Sequence, residues 1–280
     1  MTAREILDAA EKVARQNAAE ATPWDARILL AHALGGSNPL ALEPHREVEP
    51  EACARFRALW QRRLEGEPVQ HLLGEWDFYG RPFFVDRRAL VPRPETEALL
   101  AAALAEAPAA RRALDLGTGS GVLAITYLLE RSQARAVGLD ASFEALALTR
   151  ANAVRHGVLS RLALAAADWL SAAGLARFDL AMSNPPYLAL SEGASLSRTV
   201  REHDPATALF AGTDALAAIR HLLNELPRFL APGAPFVFEI GYGQAQAVAL
   251  EVRARPRWRL VRIEPDANGI PRIAVARRAA

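Results

Sequence analysis

The feature that most constrains this chain lies between about residue 98 and residue 275, where short apolar runs alternate with helical patterns. Arg112–Leu116, Ala136–Leu139, Leu162–Ala166, Phe178–Met182 and Pro235–Ile240 read as strands, followed by Trp258–Ile263 and Ile273–Val275. Gly121–Glu130, Ser142–His156, Thr213–Leu230 and Gly243–Arg253 read as the helices between them. Strands separated by helices pair in parallel, because the helix carries the chain back across the sheet. The expected fold is therefore α/β, with a mostly parallel, Rossmann-like sheet. Ligands of such sheets bind at the carboxyl ends of the strands.

Three successive strand ends carry polar chemistry. The first runs into Asp115-Leu116-Gly117-Thr118-Gly119-Ser120-Gly121. Glycines at alternate positions allow close backbone approach to a ligand and a sharp turn into the next helix. The spacing is tighter than the G-x-G-x-x-G dinucleotide fingerprint. A carboxylate ahead of the glycines suits a ligand with an ammonium group better than one with phosphates. The second strand ends at Asp140, placed to accept from both hydroxyls of a ribose. The third ends at Asp168-Trp169, an acceptor for an adenine amino group and an indole that can stack on the base. Each has a plainer reading, as a tight turn, a helix N-cap, or a surface acid beside a core tryptophan. Together they favour a ligand with a ribose, a base and an amino-acid end. S-adenosylmethionine is the common cofactor of that description.

The fourth strand ends in Ser183-Asn184-Pro185-Pro186-Tyr187. Two prolines cannot continue a strand, since each lacks an N–H and fixes φ. A carboxamide and an aromatic ring are thus exposed at the sheet edge where the cofactor is expected. The Asn184 side-chain oxygen and the Pro185 carbonyl can accept both N–H bonds of a planar nitrogen and aim it at a methyl group. They also stabilise the positive charge that develops on that nitrogen, and Tyr187 can stack on the planar group. Methyl transfer to an amide or base nitrogen is the chemistry this arrangement suits. The residues alone leave a glutamine amide and a base amine both open.

The remainder of the chain frames this core. Residues 1–75 read as a helical bundle, with starts at Thr2-Ala3-Arg4-Glu5, at Thr22-Pro23 and near Pro50. Ile6, Ala9, Ala10 and Val13 form the expected buried face of the first helix. Phe56, Leu59, Trp60 and Leu64 form that of the third, with Arg57, Arg62 and Arg63 on its solvated side. Residues 76–97 read as a β-hairpin turning at Gly80-Arg81, then the stiff segment Val91-Pro92-Arg93-Pro94, together a connection to the domain spanning 98–280. Lys12 is the only lysine and the formal net charge is +1, so no global field favours nucleic acid. Cys53 is the single cysteine, which excludes an internal disulfide and suits a reducing cytoplasm. The six histidines are scattered, no metal-site spacing occurs and no metal is expected. No apolar run reaches membrane-spanning length, and the N-terminal stretch has no apolar core of a signal peptide.

The chain resembles the protein-(glutamine-N5) methyltransferases of class-1 peptide chain release factors, the PrmC or HemK family. Asn184-Pro185-Pro186-Tyr187 is shared with other amino-methyltransferases, including those acting on DNA adenine. More discriminating are Val91–Glu97, Gln70-His71-Leu72-Leu73-Gly74 with Phe78-Tyr79-Gly80, Arg201-Glu202-His203-Asp204-Pro205, and Glu239-Ile240-Gly241 with Gln244. Asp204 stands where the family usually has Glu, and Ala215 where Gly is common. The resemblance implies a class I methyltransferase fold with a seven-stranded sheet. It implies that Gly117, Thr118, Gly119, Ser120, Gly121, Asp140, Asp168, Trp169 and Asn184 contact S-adenosylmethionine. It further implies that Asn184, Pro185, Pro186 and Tyr187, with Arg93, hold the glutamine of a Gly-Gly-Gln loop, and that the N-terminal bundle and hairpin dock the release factor. The partner expected is that protein substrate, acted on by a cytoplasmic monomer with no stable nucleic-acid complex and no membrane. The nearest alternative is glutamine methylation of a ribosomal protein. Methylation of DNA or RNA bases is a more distant one.

Overall fold

The structure is a computed structural model that describes residues 1–16, 20–171 and 177–280. Its contacts separate two compact units, Met1–Trp76 with Ser195–Asp204, and Asp77–Ala194 with Pro205–Ala280.

The first unit is helical. Helix α1 (Ala3–Gln16) starts at a reciprocal cap, in which Glu5 N–H donates to Thr2 Oγ1 at 3.3 Å and Thr2 N–H donates to the Glu5 carboxylate at 2.8 Å. Helix α2 (Pro23–Ala33) repeats the device with Thr22 and Asp25, at 3.1 and 2.9 Å, and with Pro23 at its first position. Helix α3 (Pro50–Leu64) and the short α4 (Val69–Leu73) follow. Ile6, Ala10, Leu29, Leu30, Phe56 and Trp60 pack into one core. The buried face of α1 is Ala3, Ile6, Ala10 and Ala14, while Ala9 and Val13 are exposed. The helix is thus rotated from the expected face, with Ala10 and Ala14 stacked one turn apart on the buried side. Arg63 also departs from expectation. It is buried, paired with Asp25 at 2.9 Å, and it donates to the Glu20 carbonyl at 3.1 Å and to Thr199 Oγ1 at 3.3 Å. A guanidinium is tolerated there because its donors are met by fixed acceptors.

The hairpin of β1 (Glu75–Phe78) and β2 (Arg81–Phe84) turns at Tyr79-Gly80, one residue before the expected Gly80-Arg81. Both turn residues have positive φ, 53° and 70°, as a two-residue turn matched to strand twist requires. Tyr79 is held in that conformation by its N–H, which donates to the Glu97 carboxylate at 2.6 Å. Phe78 and Phe83 meet edge to face, both fully buried in the core of the second unit, so residues expected only to connect domains also fill that core.

The second unit continues with α5 (Pro94–Glu106), β3 (Arg112–Leu116), α6 (Val122–Glu130), β4 (Arg135–Asp140), α7 (Phe143–Arg155), β5 (Leu162–Ala166) and β6 (Leu180–Ser183). The helix Arg198–His203, counted as α8, belongs to the first unit. Then come α9 (Ala206–Leu209), α10 (Ala217–Glu225), β7 (Pro235–Glu239), α11 (Ala245–Arg253), β8 (Trp258–Pro265) and β9 (Pro271–Arg278). The seven-stranded sheet runs in the order β5-β4-β3-β6-β7-β9-β8, parallel except where β9 inserts antiparallel to both its neighbours. Alternate residues of each central strand enter separate cores on the two faces. Leu180, Met182 and Val237 face one, and Ala181, Phe236 and Phe238 the other. The chain order reverses between β3 and β6, which opens a crevice at their carboxyl ends.

The long helix expected over Thr213–Leu230 is shorter, because α10 ends at Glu225 and a 3₁₀ turn covers Leu226–Arg228. Pro227 has no N–H to give to the Leu223 carbonyl one turn earlier. The Trp258 indole N–H donates to that carbonyl instead, at 2.6 Å. Phe178 lies outside β6 and forms an isolated bridge to Leu230.

Candidate active site

A cavity of about 550 Å³ lies at the crevice, the size range of small-molecule sites. Gly117, Thr118, Gly119 and Ser120 from the turn after β3, Asp140 after β4, Asp168 and Trp169 after β5, and Asn184 and Pro186 after β6 all line it. The sheet topology therefore brings the separate strand ends to one wall.

The turn after β3 is set by its backbone. Gly117 and Thr118 N–H both donate to the Leu139 carbonyl, at 2.9 and 3.0 Å. Gly117, Gly119 and Gly121 take φ of 71°, 59° and 85°. At Gly121 a Cβ would lie 2.7 Å from Thr149 Cγ2 and 2.8 Å from Ile125 Cδ1, so this glycine serves helix packing rather than the cavity. Two side chains of α7 grip the turn from behind. Thr149 Oγ1 donates to the Gly119 carbonyl at 2.7 Å, and Asn152 Nδ2 to the Ser120 carbonyl at 2.9 Å.

Asp140 accepts from Gly119 N–H through one oxygen and from Ser142 N–H through the other, both at 2.9 Å. The carboxylate is thereby fixed in plane, and each oxygen keeps a further lone pair for a diol. Ser142 caps α7, accepting from Ala145 N–H at 3.1 Å. Trp169 holds a positive φ of 52°, which a tryptophan rarely adopts, and its ring lies 6.4 Å from that of His221 at the cavity wall. Asp168 is exposed beside it.

Asp115 is placed differently from its expected position near a ligand's ammonium. It is fully buried beneath the turn, accepting from Thr118 Oγ1 at 2.7 Å and from Ala124 N–H at 3.1 Å. Burial pushes its carboxyl up to about 7, against the lowering effect of those two hydrogen bonds. It braces the turn from below.

On the acceptor side, Asn184 and Tyr187 are half-buried and Pro185 is buried. Asn184 Nδ2 donates to Thr96 Oγ1 at 3.1 Å, and Thr96 Oγ1 donates to Glu239 at 2.9 Å. Gln244 bridges from α11, its Nε2 donating to the Tyr187 carbonyl and its Oε1 accepting from Gly241 N–H, both at 2.8 Å. The segment after the motif is tied down where Leu188 pairs with Phe210. Arg93 lines the cavity together with Arg88, Ala89 and Pro92, so the proline segment forms one of its walls. Sequence reasoning missed Thr96 and Glu239 as site residues. Thr96 lay hidden between two acids suited to a helix start, and only the partner of Glu239 on another element gives it a role. Among the described residues, no group of His, Cys, Asp and Glu could hold a metal ion, and no helix is long and apolar enough to cross a membrane.

The donor set fits S-adenosylmethionine. Asp140 keeps lone pairs suited to a ribose diol, the Trp169 indole and the His221 imidazole line the same cavity, and the turn Gly117–Gly121 carries no cationic side chain. Fold and site define a class I S-adenosylmethionine-dependent methyltransferase. Residues 5–74 match the model of the PrmC N-terminal domain, and residues 95–202 that of the methyltransferase small domain. The chain is 45% identical over 255 residues to the release factor glutamine methyltransferase of Cereibacter sphaeroides, covering 90% of each protein. It is 38% identical to that of Nitratidesulfovibrio vulgaris, over 99% of this chain and 92% of the other. Among solved structures, a methyltransferase from Pyrococcus furiosus superposes with a TM-score of 0.53 at 14% identity, covering 79% of this chain and 98% of that one. The hMettl16 catalytic domain gives 0.57 at 14% identity, covering 79% and 82%. Both likenesses are of fold. The chain belongs to the release factor glutamine methyltransferase family.

Proposed function

We propose that this protein transfers a methyl group from S-adenosylmethionine to the side-chain amide nitrogen, N5, of the glutamine in the Gly-Gly-Gln motif of class-1 peptide chain release factors. The observation that carries the reading is the place of Asn184, at the end of β6 in the wall of the cavity shared with Gly117 and Asp140. It is joined by the family membership, which speaks for glutamine over a base.

The cofactor supplies an electrophilic methyl group on a sulfonium. The protein's own part is orientation and charge. Asp140 fixes the ribose, and Trp169 with Asp168 fixes the base. Asn184 Oδ1 and the Pro185 carbonyl accept the two N–H bonds of the glutamine amide, which turns the nitrogen's face towards the methyl group. An amide nitrogen is a weak nucleophile because its lone pair is shared with the carbonyl. The same two acceptors stabilise charge as it builds on nitrogen. Tyr187 packs on the amide plane and Arg93 lies along the peptide. The helical unit and the hairpin dock the body of the release factor. The single cysteine, buried and unpaired, suits the cytoplasm as the setting of the reaction.

The test is mass spectrometry of the Gly-Gly-Gln peptide from intact release factor, incubated with the protein and S-adenosylmethionine. One methyl group in place of hydrogen on the glutamine is expected. An unmodified peptide, with cofactor binding verified, overturns the reading.

A further inference from the structure

Thr96, in the first turn of α5, holds a hydroxyl with one proton to give. That proton is committed, because Thr96 Oγ1 donates to Glu239 at 2.9 Å, and both residues are almost wholly buried. Only lone pairs then remain on Thr96 for its other neighbour, Asn184. The Asn184 carboxamide must present its NH₂ to Thr96, as it does at 3.1 Å, and its oxygen to the opposite side. The Tyr187 hydroxyl nearby keeps its proton, since burial and then the Glu239 charge push it up to about 12. The Asn184 carboxamide is therefore tied to one buried carboxylate through Thr96.

We propose that Thr96 and Glu239 are positioning residues that lock the Asn184 carboxamide with its oxygen turned to the acceptor amide. This deepens the proposed function and rests on its assignment of Asn184. A flipped carboxamide would set its oxygen against the Thr96 lone pairs and offer an NH₂ to a substrate NH₂. Donor would face donor, and the nitrogen would no longer be aimed. The carboxamide ends of Asn are nearly isosteric, so packing alone cannot choose between the two rotamers. The hydrogen-bond relay can, because an unmatched buried polar pair is disfavoured by on the order of 10- to 100-fold in population.

The relay is tested in the full-length protein. Thr96→Val removes the hydroxyl at nearly constant volume, and Thr96→Ser restores it. With intact release factor as substrate, T96V lowers kcat on the order of 10- to 100-fold, T96S stays within about 3-fold, and the cofactor Kd by calorimetry is unchanged in both. In an Asn184→Ala background, T96V costs no further rate, because Thr96 acts only through Asn184. Glu239→Gln keeps the shape but can turn an NH₂ towards Thr96, which frees the Thr96 proton and unlocks the Asn184 carboxamide, and kcat falls about 10-fold. This second variant carries the test if T96V does not fold. A readout independent of activity is the pair of Asn184 side-chain NH₂ resonances in ¹⁵N-labelled protein, whose hydrogen exchange T96V accelerates and T96S does not. Unchanged kcat and unchanged exchange in T96V, or equal losses in the Asn184→Ala background, overturn the proposal. If wild-type protein leaves the release-factor glutamine unmodified while T96V still frees the Asn184 NH₂, the proposed substrate falls and the relay stands.

Discussion

The two halves of the cavity are held in place by different means. On the cofactor side, the turn Gly117–Gly121 is shaped by backbone. Its amides donate to Leu139 and Asp140, and its carbonyls are gripped by Thr149 and Asn152. On the acceptor side, the Asn184 carboxamide is held by Thr96 on α5, itself bonded to Glu239 on β7, and the Tyr187 carbonyl is held by the Gln244 side chain at the start of α11. A backbone cradle suits a ligand of fixed shape that binds many times over. A side-chain relay suits one group whose orientation decides the reaction. Substitutions on the two sides should therefore separate binding from rate.

The sharpest separation comes from Asn184→Ala. It removes an acceptor that contributes most when charge develops on nitrogen, so kcat should fall on the order of 10³-fold, the scale of losing one oxyanion-hole donor. Cofactor affinity should change by less than about 3-fold. Equal losses in kcat and in cofactor affinity would erase the distinction between the halves. The reverse pattern is expected of Gly121→Ala. Its Cβ would overlap Thr149 and Ile125, and φ of 85° is strained for alanine. Thr149 would be displaced and its bond to Gly119 loosened. We expect a stability loss of about 2–3 kcal/mol by denaturant titration, with cofactor Kd raised at least tenfold and kcat at saturating cofactor largely kept. A normal cofactor Kd in this variant would show that the turn does not depend on α7.

How much of this could be read in the chain follows the same division. The strand ends Gly117–Gly121, Asp140, Asp168-Trp169 and Asn184–Tyr187 were legible because each is a contiguous motif at a recognisable junction. The sheet topology then brings Gly117, Thr118, Gly119, Ser120, Asp140, Asp168, Trp169, Asn184 and Pro186 to one cavity without further information, while Gly121, Pro185 and Tyr187 stand off its wall. The supports of the acceptor side were not legible. Thr96, Asn184 and Glu239 lie far apart in sequence, and each looks ordinary where it stands. Glu239 in particular ends a strand of wholly buried residues, where only its partner shows why a carboxylate is tolerated. Arg63 failed for the same reason, its acceptors at Asp25, Glu20 and Thr199 being unknowable from the face of one helix. Helix ends were readable where a cap is local, as at Thr2 and Thr22. They were not readable at α10, whose end depends on Trp258 reaching a carbonyl left free by Pro227.

The comparison can also be sharpened by pH, because each half conceals one buried carboxyl pushed up to about 7 chiefly by burial, Asp115 beneath the turn and Glu239 behind the motif. Glu239 is held from every side, with the Glu95 charge raising it further and Thr96, Arg272 and Tyr187 pulling it down. A carboxyl raised in the folded state binds its proton more tightly there than in the unfolded chain. Its stabilising contribution is present at low pH and is lost as pH climbs through about 7, by at most about 1.4 kcal/mol per pH unit per group. Glu106 has the opposite sign. Hydrogen bonds from Arg262 lower it, and its contribution is lost only below the ordinary carboxylate range. Cofactor-free protein should thus lose stability between pH 5 and pH 8. Asp115→Asn should lose less over that interval and be the more stable of the two at pH 8, as thermal melts would reveal. A wild-type Tm that rises from pH 5 to pH 8 would refute the assignment of both groups.

The smallest effect is expected at Gln244. Its carboxamide spans Gly241 N–H and the Tyr187 carbonyl, so it fixes the backbone after the motif and touches neither ligand. Gln244→Ala leaves the buried Gly241 N–H and the half-buried Tyr187 carbonyl short of a partner. The backbone at Tyr187 would relax while Asn184 stays tied to Glu239 through Thr96. A loss of about 1 kcal/mol in stability and a fall of roughly 3- to 10-fold in kcat should follow, with cofactor Kd unchanged. Were the acceptor side held by its backbone as the cofactor side is, this substitution would cost as much as T96V. A loss well below that of T96V would show that the buried carboxylate, and not the backbone path after Tyr187, fixes the geometry of the reacting amide.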